Sequence, residues 1–154
     1  VEVEAYTGPD DPASHAARRI GRTPRNSAMF GPPGTASVDR SYGIHWCVNV
    51  VTSAVGDPAA VLIRALEPTV GLDLMRARRE GRPELCSGPG RLAAALGIHG
   101  GLDGHDLTRP PLRLLPGELS TGEEIGISPR IGISRAADRP LRFFIRGNPH
   151  LSRR

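Results

Sequence analysis

Two acidic side chains and one arginine stand out by their spacing. The opening run Val-Glu-Val-Glu-Ala-Tyr alternates strictly, so Glu2, Glu4 and Tyr6 share one face of a strand, with Val1, Val3 and Ala5 on the other. A carboxylate held on such a face can take a proton from water, or it can be an ordinary solvated strand position. Alternation alone does not choose between Glu2 and Glu4. Arg64 sits alone in the apolar run Ala-Ala-Val-Leu-Ile-Arg-Ala-Leu. A guanidinium there is costly unless a counter-charge meets it, as a structural ion pair or as part of a site. Tyr42, one of only two tyrosines, precedes Gly43, where the backbone is free to turn. It is either a half-buried strand residue or a ring set out at a surface.

The elements that must position these residues follow from periodicity. Residues 1–6 read as a strand, and Asp11-Pro12 offers an N-cap and a first-turn proline for a short helix. The stretch Gly21–Thr35 is turn-rich and basic, a surface loop by composition. Residues 38–51 read as a hairpin bending near Tyr42-Gly43, and the run around Arg64 as a buried strand. Residues 69–79 form an expected amphipathic helix, and Gly88-Pro-Gly-Arg-Leu-Ala-Ala-Ala-Leu a second, short one. Residues 111–118, 129–134 and 140–147 read as late strands. Neither a repeat nor a linker divides the chain, so one domain over residues 1–154 is expected.

Composition bounds the rest. The 19 glycines and 15 prolines lie well above the average share of roughly 12%, which points to a loop-rich α+β or β-rich fold. The net charge is +4, and all 20 basic residues are arginine. Arginine's planar fork suits phosphate, so a nucleic-acid partner is one reading and an ordinary basic protein the other. With no lysine, this chain cannot form a lysine Schiff base. Cys47 and Cys86 lie far apart, outside any Cys/His cluster, and read as buried thiols in a reducing compartment, without a metal site. No stretch is long and apolar enough to span a membrane, and no signal peptide is visible.

Taken in order, the words VEVEAY, TPRNSAMFGPPGT, YGIHWCVNVV, AVLIRALEP, ELCSGPGRLAAALGI and RPLRFFIRGNP resemble the alkyladenine (3-methyladenine) DNA glycosylase family. Against that family the chain lacks the usual segment before the first strand, so an N-terminally truncated domain is expected. The resemblance implies a single mixed α+β domain with a curved, mainly antiparallel sheet, flanking helices and a protruding β-hairpin. It implies an enzyme that flips alkylated purines out of double-stranded DNA and hydrolyses the N-glycosidic bond, leaving an abasic site. Implied substrates are 3-methyladenine and 7-methylguanine, with hypoxanthine and ethenoadenine as neutral candidates. A metal or organic cofactor is not implied, nor is a membrane; a monomer acting in the bacterial cytoplasm, at the nucleoid, is. The alternative is a nucleic-acid-binding module that keeps the fold without catalysis.

Residue by residue, the resemblance makes Glu4 the general base, with Arg64 and the main-chain carbonyl of Ile131 around the same water. Glu2 is then an ordinary strand-face position. Tyr6, His15 and Asn49 would line the base pocket, Tyr42 would intercalate, and Ile44 and His45 would touch the minor groove. Arg22, Thr23, Arg25 and Arg91 would meet phosphates. One position departs from the pattern: the second aromatic wall of the pocket is Asp39 here. Its expected effect is either a weakened pocket or a preference for cationic lesions.

Overall fold

In the computed structural model, which describes residues 1–153, the alternating run at the start of the chain forms β1 (Glu2–Tyr6). It lies inside a sheet rather than at its edge. The hairpin residues form β2 (Ala36–Ser41) and β3 (His45–Val51), and the strand bearing Arg64 is β4 (Ala60–Ala65). Two short late strands, β5 (Ile125–Ser128) and β6 (Arg142–Ile145), complete one six-stranded sheet of order β2-β3-β4-β1-β6-β5. Every pairing is antiparallel.

The register explains how distant residues meet. Directly paired residues share a face, and so do positions two apart along a strand. Ser37 pairs with Asn49, Asn49 with Leu62, Leu62 with Glu4, Glu4 with Arg142 and Arg142 with Ser128. This row crosses all six strands on one face. Asp39, Cys47 and Arg64 lie two residues along from its members and join the same face.

The opposite face of β2 and β3 packs against α2 (Pro89–Leu96). Val38, Val48 and Val50 meet Leu92, Ala93 and Ala95, with Leu85 and Ile98 closing the cluster. Proline at the start and Gly97 in the left-handed region at the end (φ 70°) define α2 by the usual asymmetry. The other helix, α1 (Leu72–Arg78), buries no residue; its expected apolar face is only partly covered. Both cysteines are buried and unpaired.

Four expectations fail. Residues 10–20 form successive turns and no helix, because the Asp11 carboxylate is drawn to the buried Arg130 and its cap is spent on a local turn. The basic loop contains a 3-10 helix, Pro24–Phe30, closed by reciprocal Thr23 and Asn26 capping bonds. Residues 111–118 form no strand. The tetrapeptide Ile-Gly-Ile-Ser occurs twice, and the first copy is β5 while the second, at 131–134, is loop. Pro129 between them lacks the N–H that a continuing ladder needs.

Candidate active site and exposed hairpin

Glu2 and Glu4 point to the same side of β1, yet both are buried, so the face that alternation suggested for solvent is the interior one. The reading of Glu2 as a solvated position is wrong. Its Oε1 accepts from Arg64 Nε at 3.0 Å, Arg142 Nε at 2.8 Å and Ser152 Oγ at 2.7 Å, and its Oε2 from Ser152 N at 2.6 Å. A carboxylate has about four lone-pair sites, and Glu2 is saturated. Burial pushes its carboxyl up, but the Arg142 and Ser152 hydrogen bonds outweigh this and hold it below the ordinary range.

Glu4 is bound differently. Its Oε1 accepts from the Ile131 N–H at 2.7 Å and lies 3.3 Å from Arg64 Nη1; its Oε2 accepts from the Tyr6 hydroxyl at 3.1 Å. By the same lone-pair count one further donor fits. Arg64 therefore bridges the two acids, its Nε on Glu2 and its Nη1 toward Glu4. Burial, with the Glu4 charge and hydrogen bond, pushes the Tyr6 hydroxyl well up, so Tyr6 is a neutral donor at all ordinary pH. Ile131 turns its amide, not its carbonyl, to Glu4.

Tyr6, Arg64 and Ile131 also line a cavity of about 470 Å³, with Glu4 immediately behind them. That volume suits a small ligand. His15, Asp39 and Asn49 line the same cavity, as do Tyr42, Cys47 and Leu62. The structure thus brings together all four expected pocket residues with the Glu4–Arg64 pair. Asn49 donates from its amide to the Ser37 carbonyl at 3.3 Å.

Asp39 does not stand in the cavity as a free charge. Its Oδ2 lies 2.8 Å from His15 Nδ1 and 3.6 Å from Arg25. The hydrogen bond to Asp39 raises the imidazole above its ordinary pKa of 6.5, against burial and the Arg25 charge. Burial pushes Asp39 up, but His15 and Arg25 outweigh it and hold the carboxyl down. Burial and the Asp39 charge push the neighbouring Cys47 thiol to about 11, which leaves it protonated and inert as a nucleophile.

Beside the cavity the β2–β3 hairpin turns through Tyr42 and Gly43, both at positive φ (51° and 72°), with Ile44 N–H donating to Ser41 O at 3.0 Å. For a bulky side chain the left-handed region is unusual and strained. The turn nonetheless sets the Tyr42 ring 87% and Ile44 71% exposed, and His45, also exposed, packs over Gly90 of α2. The expected phosphate contacts are exposed at Arg22, Arg25 and Arg91. Arg22 lies over the Phe30 ring, Arg25 donates to the Arg40 carbonyl, and Arg91 donates to that of Ser87. The Thr23 hydroxyl is occupied in capping the 3-10 helix.

Sequence reasoning missed a second clamp. Arg130 is fully buried, pairs through both Nη atoms with Asp11, donates to the Ala5 carbonyl at 2.9 Å and lies 4.6 Å over the Tyr6 ring. The next residue is Ile131, whose amide meets Glu4. Asp11 and Arg130 thereby fix both the Tyr6 ring and the Ile131 backbone. Arg142 was equally missed, although it stands among Leu141, Phe143 and Phe144 as Arg64 stands in its own strand. The isolated-arginine signal applies to it in the same form.

The methylpurine-DNA glycosylase family pattern matches residues 1–149. This chain belongs to that family. It is a DNA glycosylase, an enzyme of base-excision repair. Among its relatives, proteins bearing by assignment the name 3-methyladenine DNA glycosylase occur in Rhodopseudomonas palustris (strain BisB18), Nitrosospira multiformis and Methanoculleus marisnigri. The first is 55% identical over 99% of this chain and 75% of its own length. The second is 53% identical over 99% and 78%, and the third 52% identical over 100% and 81%. Among the described residues no helix is long and apolar enough to cross a membrane, and no group of three His, Cys, Asp or Glu side chains is placed to hold a metal ion.

Proposed function

We propose that this glycosylase releases 3-methyladenine and 7-methylguanine from double-stranded DNA by direct hydrolysis, acting as a monomer in the cytoplasm. In this reading Tyr42 enters the base stack as the damaged nucleotide leaves it, and Ile44 and His45 follow the minor groove. Extruding a base costs a few kcal/mol, and a ring at a tight hairpin tip offsets part of that by filling the gap. The exposed Arg22, Arg25 and Arg91 supply phosphate contacts, which set affinity and its salt dependence; Thr23 contributes by holding the loop that carries two of them.

The flipped purine occupies the cavity against Tyr6, His15 and Asn49. Glu4 takes a proton from the attacking water while its charge stabilises the cationic sugar. Arg64 and the Ile131 main chain orient that water, and Glu2 holds Arg64. A base that already carries an alkyl group and a positive charge leaves without a proton donor. The observation that carries the reading is the unsaturated, arginine-bridged Glu4 behind a cavity of about 470 Å³, next to an exposed ring at a strained turn.

The test is base release from methylated duplex DNA by the wild type and by Glu4→Gln. Loss of a positioned base removes about 10²–10⁴ in rate, so the variant is expected to bind DNA and release base at least a hundredfold more slowly. Equal retention of DNA with no base released by either protein would replace the enzyme with a binding module.

A further inference from the structure

Arg64 is held by more than the two glutamates. The segment after β6 folds back to β1 and β4 and is tied at both ends. Asn148 Nδ2 donates to Glu67 Oε2 at 3.3 Å, just past β4, and the Arg153 carbonyl accepts from Arg142 Nη2 at 2.9 Å. Between these ties Ser152 is half-buried and gives both its amide and its hydroxyl to the charged cluster. Its N–H donates to Glu2 Oε2 at 2.6 Å. Its hydroxyl donates to Glu2 Oε1 at 2.7 Å and accepts from Arg64 Nη2 at 3.2 Å and Nε at 3.4 Å. A serine hydroxyl has one proton to give and two lone pairs, so this one is used in full.

The nitrogens of Arg64 divide accordingly. The Nε–Nη2 edge meets two acceptors, Glu2 Oε1 at 3.0 Å and Ser152 Oγ, and Nη1 is left 3.3 Å from Glu4 Oε1. A guanidinium is planar and rigid, so two acceptors along one edge fix where the third nitrogen points. With a single acceptor the plane is free to turn about the remaining hydrogen bond. Glu2 is not free to supply the second acceptor itself. Its Oε2 is taken by the Ser152 amide, and its Oε1 is already shared with Arg142.

Resting on the excision reading above, we propose that Ser152 is a positioning residue for hydrolysis, fixing the plane of Arg64 and so placing Nη1 beside the Glu4 carboxylate that receives the water. It acts through Arg64 and touches neither the base nor the reacting atoms. None of residues 148–153 lines the cavity. The segment after β6 therefore serves the rate of hydrolysis without serving the binding of the base, and that separation is what an experiment can read.

The test is single-turnover release of 7-methylguanine from duplex DNA, with protein concentration varied to separate the maximal rate from the half-saturating concentration. Misplacing a catalytic group by about 1 Å costs up to about a hundredfold. Ser152→Ala is accordingly expected to lower the maximal rate by about ten- to a hundredfold and to leave the half-saturating concentration unchanged. Ser152→Thr, which keeps the hydroxyl, is expected to restore most of the rate. In an Arg64→Lys background, where the planar fork is gone, Ser152→Ala should cost little more, because both changes remove one arrangement. Three results overturn the proposal and leave the excision reading intact: an undiminished rate in Ser152→Ala, equal losses of rate and binding that threonine does not relieve, or full additivity with Arg64→Lys. No release by the wild type overturns both. In the wild-type protein, separate NMR signals are expected for the two Arg64 Nη groups, since the held edge blocks rotation of the guanidinium. One averaged signal contradicts the role, even where a variant fails to fold.

Discussion

The interior beneath β1 and the tip of the β2–β3 hairpin use polar and aromatic side chains in opposite ways. Under β1, Glu2, Glu4, Asp11, Arg64, Arg130 and Arg142 are all buried, the two glutamates paired with Arg64 and Arg142 across the strands and Asp11 with Arg130 from outside them. At the hairpin tip Tyr42, Ile44 and His45 stand in solvent on a turn held in the left-handed region. The first region is committed within the protein, apart from one acceptor site on Glu4 and the buried Arg130 Nε, which has no hydrogen-bond partner among the described residues. The second has almost nothing to hold within the protein. Rigidity is invested where atoms must be placed to fractions of an ångström, and exposure where another molecule must be met.

Variants that break this contrast fall in order of expected effect. Arg130→Met strands the buried Asp11 carboxylate, and removing one partner of such a pair costs about 3–5 kcal/mol. Urea unfolding should show the loss, and base release should fall with it because Tyr6 and Ile131 lose their anchor. Glu2→Gln leaves Arg64 and Arg142 without their shared counter-charge, at a cost of about 3 kcal/mol. A large fall in base release despite a folded circular-dichroism spectrum would show that Glu2 also positions Arg64. Tyr42→Ala should weaken binding to lesion-bearing duplex by about 1–3 kcal/mol, while thermal unfolding stays within about 0.5 kcal/mol of wild type. A shifted melting temperature would instead mark Tyr42 as structural.

Acid provides a graded version of the same contrast. The Glu2 and Asp11 carboxyls lie below their ordinary values of 4.5 and 3.8 in the folded protein. Their contribution to stability is therefore complete above those values and is lost as pH falls through and below them. Melting temperature should decline on acidification below about pH 4.5, less steeply in Glu2→Gln. The His15–Asp39 link runs the other way. The imidazole is raised above 6.5, so its contribution is complete below that value and fades as pH rises past the raised one.

Much of this was legible in the sequence, and the failures have physical reasons. Alternation located β1 and the hairpin, and the lone Arg64 announced a buried counter-charge. The family words selected Glu4, and the register of β1 against β4 brings it to Arg64. Alternation misjudged which face of β1 is wet, because it reports that two faces differ and not which of them is covered. Asp11 was read as a helix cap since cap chemistry is local, whereas its partner Arg130 lies 119 residues away. Arg130 itself carries no periodic signal, sitting between Pro129 and a loop. Ser152 is equally invisible, since a terminal serine has no pattern to betray a bond to Glu2.

The central claim is that the acceptor site left on Glu4 belongs to the water that attacks the sugar of an extruded nucleotide. A crystal structure of the protein with duplex DNA containing a positively charged, uncleavable abasic-sugar mimic tests it most directly. The predicted result is a water held by Glu4 Oε2, Arg64 and the Ile131 main chain within reach of the mimic's ring, with Tyr42 inserted in the stack. A mimic lying outside the cavity, with Glu4 making only its three contacts to Ile131, Arg64 and Tyr6, would contradict it.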